Sequence, residues 1–213
     1  MIRVLLADDS PVVRHGLRAL LEVHDDIEVV GDATNGKEVL CLARQLHPDV
    51  VIMDIGMPEL NGIEATLRMH DVCPSAQVLI LSMHSTTEYI FRALQAGAKG
   101  YLLKDSTGTE VVDAVRAVHA GRRHLGQRIL AAALDDYIAG RPTTDPLENL
   151  SRREREILQL VVEGKSSATI GKLLFLSPKT VDTYRSRMMH KLSIDNLPGL
   201  VKFAIRHGVT QLG

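Results

Sequence analysis

The chain has 213 residues, 45% of them hydrophobic and 24% charged, with a formal charge of −1, the make-up of globular domains with a sizeable core. Its two cysteines, Cys41 and Cys73, make neither a disulfide framework nor a zinc site, and no stretch approaches the roughly 20 apolar residues of a membrane span. The N-terminal apolar run is cut by Arg3 and Asp8, too early for a signal peptide, so a soluble chain in a reducing cytoplasm, with no membrane partner, is expected.

Ile2-Arg3-Val4-Leu5-Leu6-Ala7 reads as a strand ending in Asp8-Asp9. Ser10-Pro11 then has the signature of a helix start, and Val13, Leu17, Leu20 and Leu21 give that helix one apolar face to about Val23. A second strand over 27–33 leads through the Asn35-Gly36 turn into a helix with Val39, Leu40, Ala43 and Leu46 inward, stopped by Pro48. The run from Asp49 to Asp54 is rich in β-branched and apolar residues and ends in a carboxylate, as befits a strand buried on both faces of a parallel sheet with its end at the rim. Asn61-Gly62 opens a third helix ending near Pro74, and Gln77 to Ser82 is a fourth strand. A helix over 87–96, a fifth strand over 99–104 and a helix over 108–120 complete an alternation of five strands and five helices. Short connections between them predict a doubly wound α/β sheet of the flavodoxin-like order.

A further helix is expected over 126–139, and Gly140 to Pro146 has the composition of a linker. Beyond it the pattern is all helical: a capping box at Ser151 to Glu154, Gly164 as a stop, a short helix over 167–174, a longer one from Ser177-Pro178 to about Leu192, and a last one from Asn196. Charge changes at the same place. Residues 1–146 carry 14 Lys and Arg against 20 Asp and Glu, whereas 147–213 carry 11 against six. An acidic front and a basic rear argue for two domains, the second with a polyanionic partner.

Read together, the strand ends place Asp8, Asp9, Asp54, Ser82 and Lys104 at one rim of the sheet, where open α/β folds bind ligands. Three carboxylates there repel one another unless a cation sits among them, and hard oxygen donors suit Mg²⁺. Asp54 can attack a phosphoryl donor, Asp8 and Asp9 can hold the metal with the main-chain carbonyl of Gly56, and Lys104 and Ser82 can reach phosphoryl oxygens. Taken singly, an Asp pair also serves as a turn or a cap, and a Lys after a strand as surface.

The set as a whole resembles the receiver domain of bacterial two-component response regulators over 1–122: Asp8-Asp9, Asp54 with Met57-Pro58, Ser82, and Lys104 after the fifth strand. The resemblance implies that Asp54 accepts a phosphoryl group from a histidine kinase, and that Ser82 and Tyr101 rearrange when it does. Asp105 stands where many receivers have Pro, a departure that bears on the loop after Lys104.

On the helix that starts at Pro178, Val181, Tyr184, Arg185, Met188 and Leu192 share one side, and Lys179, Asp182, Thr183, Ser186, Arg187 and His190 the other. The second set, with Thr180, suits base edges and phosphates, although a merely solvated face has the same composition. The preceding short helix and turn have helix-turn-helix proportions. Residues 148–211 resemble the LuxR/FixJ/NarL DNA-binding domain, carried by Leu150-Ser151-x-Arg153-Glu154-x-Glu156-x-Leu158, Gly164, Leu176-Ser177-Pro178-Lys179-Thr180-Val181 and Lys191-Leu192. The run departs at Thr169, where that family usually has Glu, and at Tyr184, where His is common.

The expected organisation is a receiver over 1–122, a helix and linker over 123–147, and a helix-turn-helix domain over 148–213. The implied function is a non-enzymatic, phosphorylation-controlled transcription factor. Its expected partners are a sensor histidine kinase, promoter DNA and, once phosphorylated, a second copy; RNA polymerase is among the partners such a regulator can take. A phosphatase with an Asp nucleophile is disfavoured because the position two residues after Asp54 is Gly56. A flavin module is disfavoured by the acidic loop Asp8-Asp9.

Overall fold

Six parallel strands in the order β2-β1-β3-β4-β5-β6 form the sheet of the computed structural model, which describes residues 1–138 and 146–210. The strands are β1 (Ile2–Ala7), β2 (Ile27–Ala33), β3 (Val50–Met53), β4 (Gln77–Ser82), β5 (Gly100–Leu103) and β6 (His124–Leu125). The chain divides into two compact units, Met1–Thr143 and Thr144–Gly213.

In the first unit, helices α1 (Pro11–Leu21) and α5 (Gly108–His119) cover one face of the sheet. Helices α2 (Gly36–Leu46), α3 (Gly62–Val72) and α4 (Thr87–Gln95) cover the other. Alternate strand residues serve the two sides: Leu6, Ile52 and Leu102 face α1 and α5, whereas Leu5, Met53 and Tyr101 face α2, α3 and α4. All four residues of β3 are buried, as a strand covered on both faces requires. Asn35 caps α2 by accepting from Lys37 N and Glu38 N, and Asn61 caps α3 by accepting from Glu64 N. Ser10 does not cap α1 with its side chain; its own backbone N–H is instead taken by Asp8 Oδ1 at 2.9 Å.

The sixth strand corrects the expected count of five. It is only two residues long and pairs Gly100 with His124 and Tyr101 with Leu125. Two residues are too few to produce a hydrophobic alternation. The helix after it, α6 (Gln127–Ile138), belongs to the first unit: Ile129 is 1% exposed and shares the apolar cluster of Tyr101 and Leu103. The expected linker lies, apart from Pro146, outside the described residues.

The second unit begins with a 3-10 turn (Pro146–Asn149) and contains α7 (Arg152–Val162), α8 (Ser167–Leu174), α9 (Pro178–Lys191) and α10 (Leu197–Arg206). Its core gathers Leu150, Ile157, Leu158, Ile170, Val181, Met188, Leu200 and Ala204. The capping box is formed at both ends: Ser151 accepts from Glu154 N, and the Glu154 carboxylate accepts from Ser151 N at 2.8 Å. Gly164 takes the left-handed conformation that ends α7, at φ 80°. Along α10, Leu200 and Ala204 are core while Leu197 is exposed. No helix among the described residues is long and apolar enough to cross a membrane.

Candidate phosphoacceptor site and nucleic-acid interface

Strand register brings the acidic groups together. Ala7 of β1 is paired with Met53 of β3, and Asp54 N donates to Ala7 O at 2.8 Å, so Asp8 and Asp54 leave the sheet side by side. Oxygen atoms of Asp8, Asp9 and Asp54 lie within 4.8 Å of one another. Asp8 and Asp54 are buried and Asp9 is exposed. From β5, Lys104 reaches across: its Nζ is 2.7 Å from Asp8 Oδ2 and 3.2 Å from Asp54 Oδ1. Lys104 N donates to Ser82 O at 2.9 Å, which ties the last two strand ends to the same rim.

The two oxygens of Asp54 differ. Oδ2 accepts from the backbone N–H of Gly56 at 3.1 Å. Oδ1 is buried, and the group facing it is the Lys104 ammonium at 3.2 Å. Burial is the largest influence on this carboxyl and pushes its pKa up to about 6, against the pull of Lys104 and with the help of Asp8. Burial works against the Lys104 ammonium, but Asp54 and Asp8 outweigh it and raise its pKa.

Asp54 is more readily protonated folded than unfolded, so its contribution favours folding below the ordinary carboxylate range and is lost as pH rises through about 6. Without divalent metal, Asp54→Asn is therefore expected to be more stable than wild type at about pH 7.5, by an amount on the order of 2 kcal/mol. The difference should vanish at about pH 4. Calorimetry at the two pH values checks it; a variant less stable at the higher pH would contradict the site's electrostatics.

Around this centre, Ser82 is fully buried, and its Oγ accepts from His84 N at 3.2 Å. Tyr101 is fully buried too, and its OH donates to His84 O at 2.7 Å. The His84 ring stacks on Tyr89 with centroids 4.0 Å apart. His84 thus links the two expected switch residues, a role no spacing in the sequence announces. After Lys104 there is no cis peptide; Asp105 instead makes an ion pair with Arg128 at the start of α6.

In the second unit, Ser177 caps α9 by accepting from Thr180 N at 3.1 Å. Val181 and Met188 are fully buried, while Tyr184, Arg185 and Leu192 are half-buried. Lys179, Asp182, Thr183, Ser186, Arg187 and His190 are all exposed, and Thr180 is half-buried. Three of these polar groups already have a partner: Ser167 Oγ donates to Asp182 Oδ1 at 2.6 Å, Thr183 Oγ1 donates to Lys179 O at 2.9 Å, and the Thr180 and Ser177 hydroxyls share a hydrogen bond at 2.8 Å.

The helices carrying this face are tied by polar contacts in spite of Thr169. Lys191 Nζ on α9 is 2.7 Å from Glu154 Oε2 on α7, and Arg153 Nη2 donates to Leu174 O, the end of α8, at 2.6 Å. Burial opposes ionisation of Glu154, yet the bonds from Lys191 and Ser151 outweigh it and hold its pKa below the usual value. Thr169 is exposed and bonds locally with Ser166.

Comparison with known proteins matches both units. Residues 4–116 match the response regulator receiver domain, and residues 148–204 the luxR family of bacterial regulatory proteins. The chain is 39% identical over 208 residues to the transcriptional regulatory protein MctR of Rhizobium johnstonii, covering 98% of this chain and 95% of MctR. Among solved structures, the response regulator ChrA of a heme-sensing two-component system is 38% identical, with a TM-score of 0.55 and 98% of each chain covered. Structures of the response regulator RcsB with DNA, one holding two RcsB dimers on two parallel DNAs, are 25% identical, with TM-scores of 0.59, covering 95% of this chain and 96% of theirs.

Proposed function

The chain belongs to the response regulators that join a receiver domain to a LuxR-family DNA-binding domain, and on that footing we propose that Asp54 is its phosphoacceptor and that the charge gained there controls dimerisation and promoter binding. The two domains make it a regulator of transcription. The observation that carries the reading is the buried carboxylate of Asp54, held among two more acids and the Lys104 ammonium.

In the proposed reaction, a carboxylate oxygen of Asp54 forms a bond to phosphorus as the P–N bond to the kinase's phosphohistidine breaks, and the electron pair returns to the imidazole. Asp8, Asp9, Asp54 and the Gly56 carbonyl would hold Mg²⁺. The oxygen-only donor set fits it. When bound, Mg²⁺ neutralises charge on the transferring phosphoryl oxygens. Lys104, already between Asp8 and Asp54, ion-pairs with the new group. The phosphoryl group adds about −1.5 to −2 charges, drawing the Ser82 hydroxyl toward it. That withdraws the acceptor used by His84 N, and with it the loop whose carbonyl holds Tyr101.

In the second unit, the exposed face of α9 (Lys179, Thr180, Asp182, Thr183, Ser186, Arg187, His190) enters the major groove. Phosphorylated full-length protein is expected to bind its selected duplex about 5–150-fold more tightly than the unphosphorylated form. Lys179→Ala should lower the salt slope of binding by about one. Fluorescence anisotropy across a salt series reads both. Equal affinity before and after phosphorylation would exclude control through Asp54.

A further inference from the structure

Most side chains on the groove face of α9 can use several of their atoms on DNA; Thr183 is more restricted. Its Oγ1 donates to Lys179 O at 2.9 Å, one turn back on the same helix. Such a bond is an ordinary choice for a threonine inside a helix, because the backbone carbonyl four residues earlier is within reach of one rotamer. Its consequence here is chemical. The hydroxyl proton is spent on the helix, so this exposed side chain has no donor left for a base, and beside the oxygen's lone pairs it offers a ligand its methyl group. Threonine at this position then presents a hydrocarbon surface among charged and polar neighbours: Lys179 and Arg187 one turn to either side, Asp182 and Ser186 beside it.

The major groove contains one apolar feature that marks a base, the C5 methyl of thymine. Resting on the assignment of α9 as the recognition helix, we infer that Thr183 reads a thymine through methyl–methyl contact, not through a hydrogen bond. The neighbours fit that division of labour. Asp182, one of whose oxygens is already taken by Ser167 on α8, keeps the other for a cytosine amino group or the solvent. The two flanking cations suit phosphates or guanine.

Deoxyuridine lacks only the methyl of thymine, which makes the test direct. The probe is a duplex selected from a random-sequence pool with phosphorylated wild-type protein, each thymine of the site being replaced in turn by deoxyuridine. At one position wild type should lose about fourfold in affinity, the factor that corresponds to transferring one methyl-sized group out of water. Thr183→Val, which keeps a methyl and removes the hydroxyl, should retain that thymine preference. Thr183→Ser, which keeps the hydroxyl and removes the methyl, should bind the two duplexes equally. Both substitutions lie on an exposed helical position and differ little in helix propensity, so circular dichroism should show both variants folded. The salt slope should be the same for all three proteins, because no phosphate contact is changed. If Thr183→Ser kept the preference and Thr183→Val lost it, the hydroxyl would be the reader and the inference would be wrong. It would equally be overturned if no thymine in the site responded to loss of its methyl. A wild-type protein that enriched no duplex at all would instead remove the assignment of α9 on which the inference stands.

Discussion

Incubated with acetyl phosphate and Mg²⁺, the wild-type chain is expected to gain one phosphoryl group by intact mass, and Asp54→Asn none. The three acids of the rim are not equivalent nucleophiles. Asp8 has Lys104 Nζ at 2.7 Å on one oxygen and accepts from Ser10 N at 2.9 Å on the other, so both are occupied. Asp9 is exposed, and its charge is dispersed in water. Asp54 alone combines burial with a pKa raised to about 6 by desolvation. At neutral pH it is mostly ionised, as attack on phosphorus requires. The substitution should abolish uptake at this position, because an Asn amide is no nucleophile toward phosphorus. An equal mass gain in Asp54→Asn would move the chemistry elsewhere.

The second large effect is on the scaffold under that carboxylate. Gly62→Ala is expected to destabilise the first unit by about 3 kcal/mol or more. A Cβ at Gly62 would lie 2.0 Å from the Asp54 carbonyl oxygen and 2.9 Å from Met53 Cγ. The obstacle is backbone, so no rotamer change relieves it. Gly62 is the first residue of α3, and its N–H donates to Ile55 O at 3.0 Å, which locks the helix start against the loop that follows the phosphoacceptor. Either the helix retreats and that bond is lost, or Asp54 is displaced. Gly16→Ala is the matched control: nothing lies within 4 Å of its Cβ, and it sits in exposed helix, where alanine should add roughly 0.5–1 kcal/mol. Calorimetry should show the transition of the first unit falling in Gly62→Ala while that of the second stays, with phosphoryl uptake impaired. A variant that melts like wild type would mean the close approach at Asp54 is not required.

What could be read from the chain before its structure follows from how local each signal is. Buried strands such as Val50–Met53 declare themselves by unbroken apolar runs, and the caps at Asn35, Asn61 and Ser151 by residue type within one turn. Asp8, Asp54, Ser82 and Lys104 could be placed at one rim because strand ends in a parallel sheet share it. Contacts between distant segments carry no such mark. Lys191 is a suitable partner for Glu154 only because α7 and α9 cross, and the two are separated by 37 residues. The bonds that tie His84 to Ser82 and Tyr101 use its backbone groups, which any residue has. The exposure of the α9 face was foreseeable from its helical spacing; that Asp182 and Thr183 already spend hydrogen-bonding capacity on Ser167 and Lys179 was not.

The two margins of the sheet bear on how copies of this protein can meet. A strand with a free row of N–H and C=O groups invites another chain to add to it. Here β2 lies at one margin with Glu28 and Asp32 exposed, the latter paired with Arg18, and its register with β1 slips between Val4 and Leu5. Charge and irregularity of this kind spoil a template. The other margin is closed by β6, whose two residues pair with β5 and give way at once to α6. The β2 margin is charged and irregular and the β6 margin is two residues long, so neither is a favourable template for strand addition by another chain.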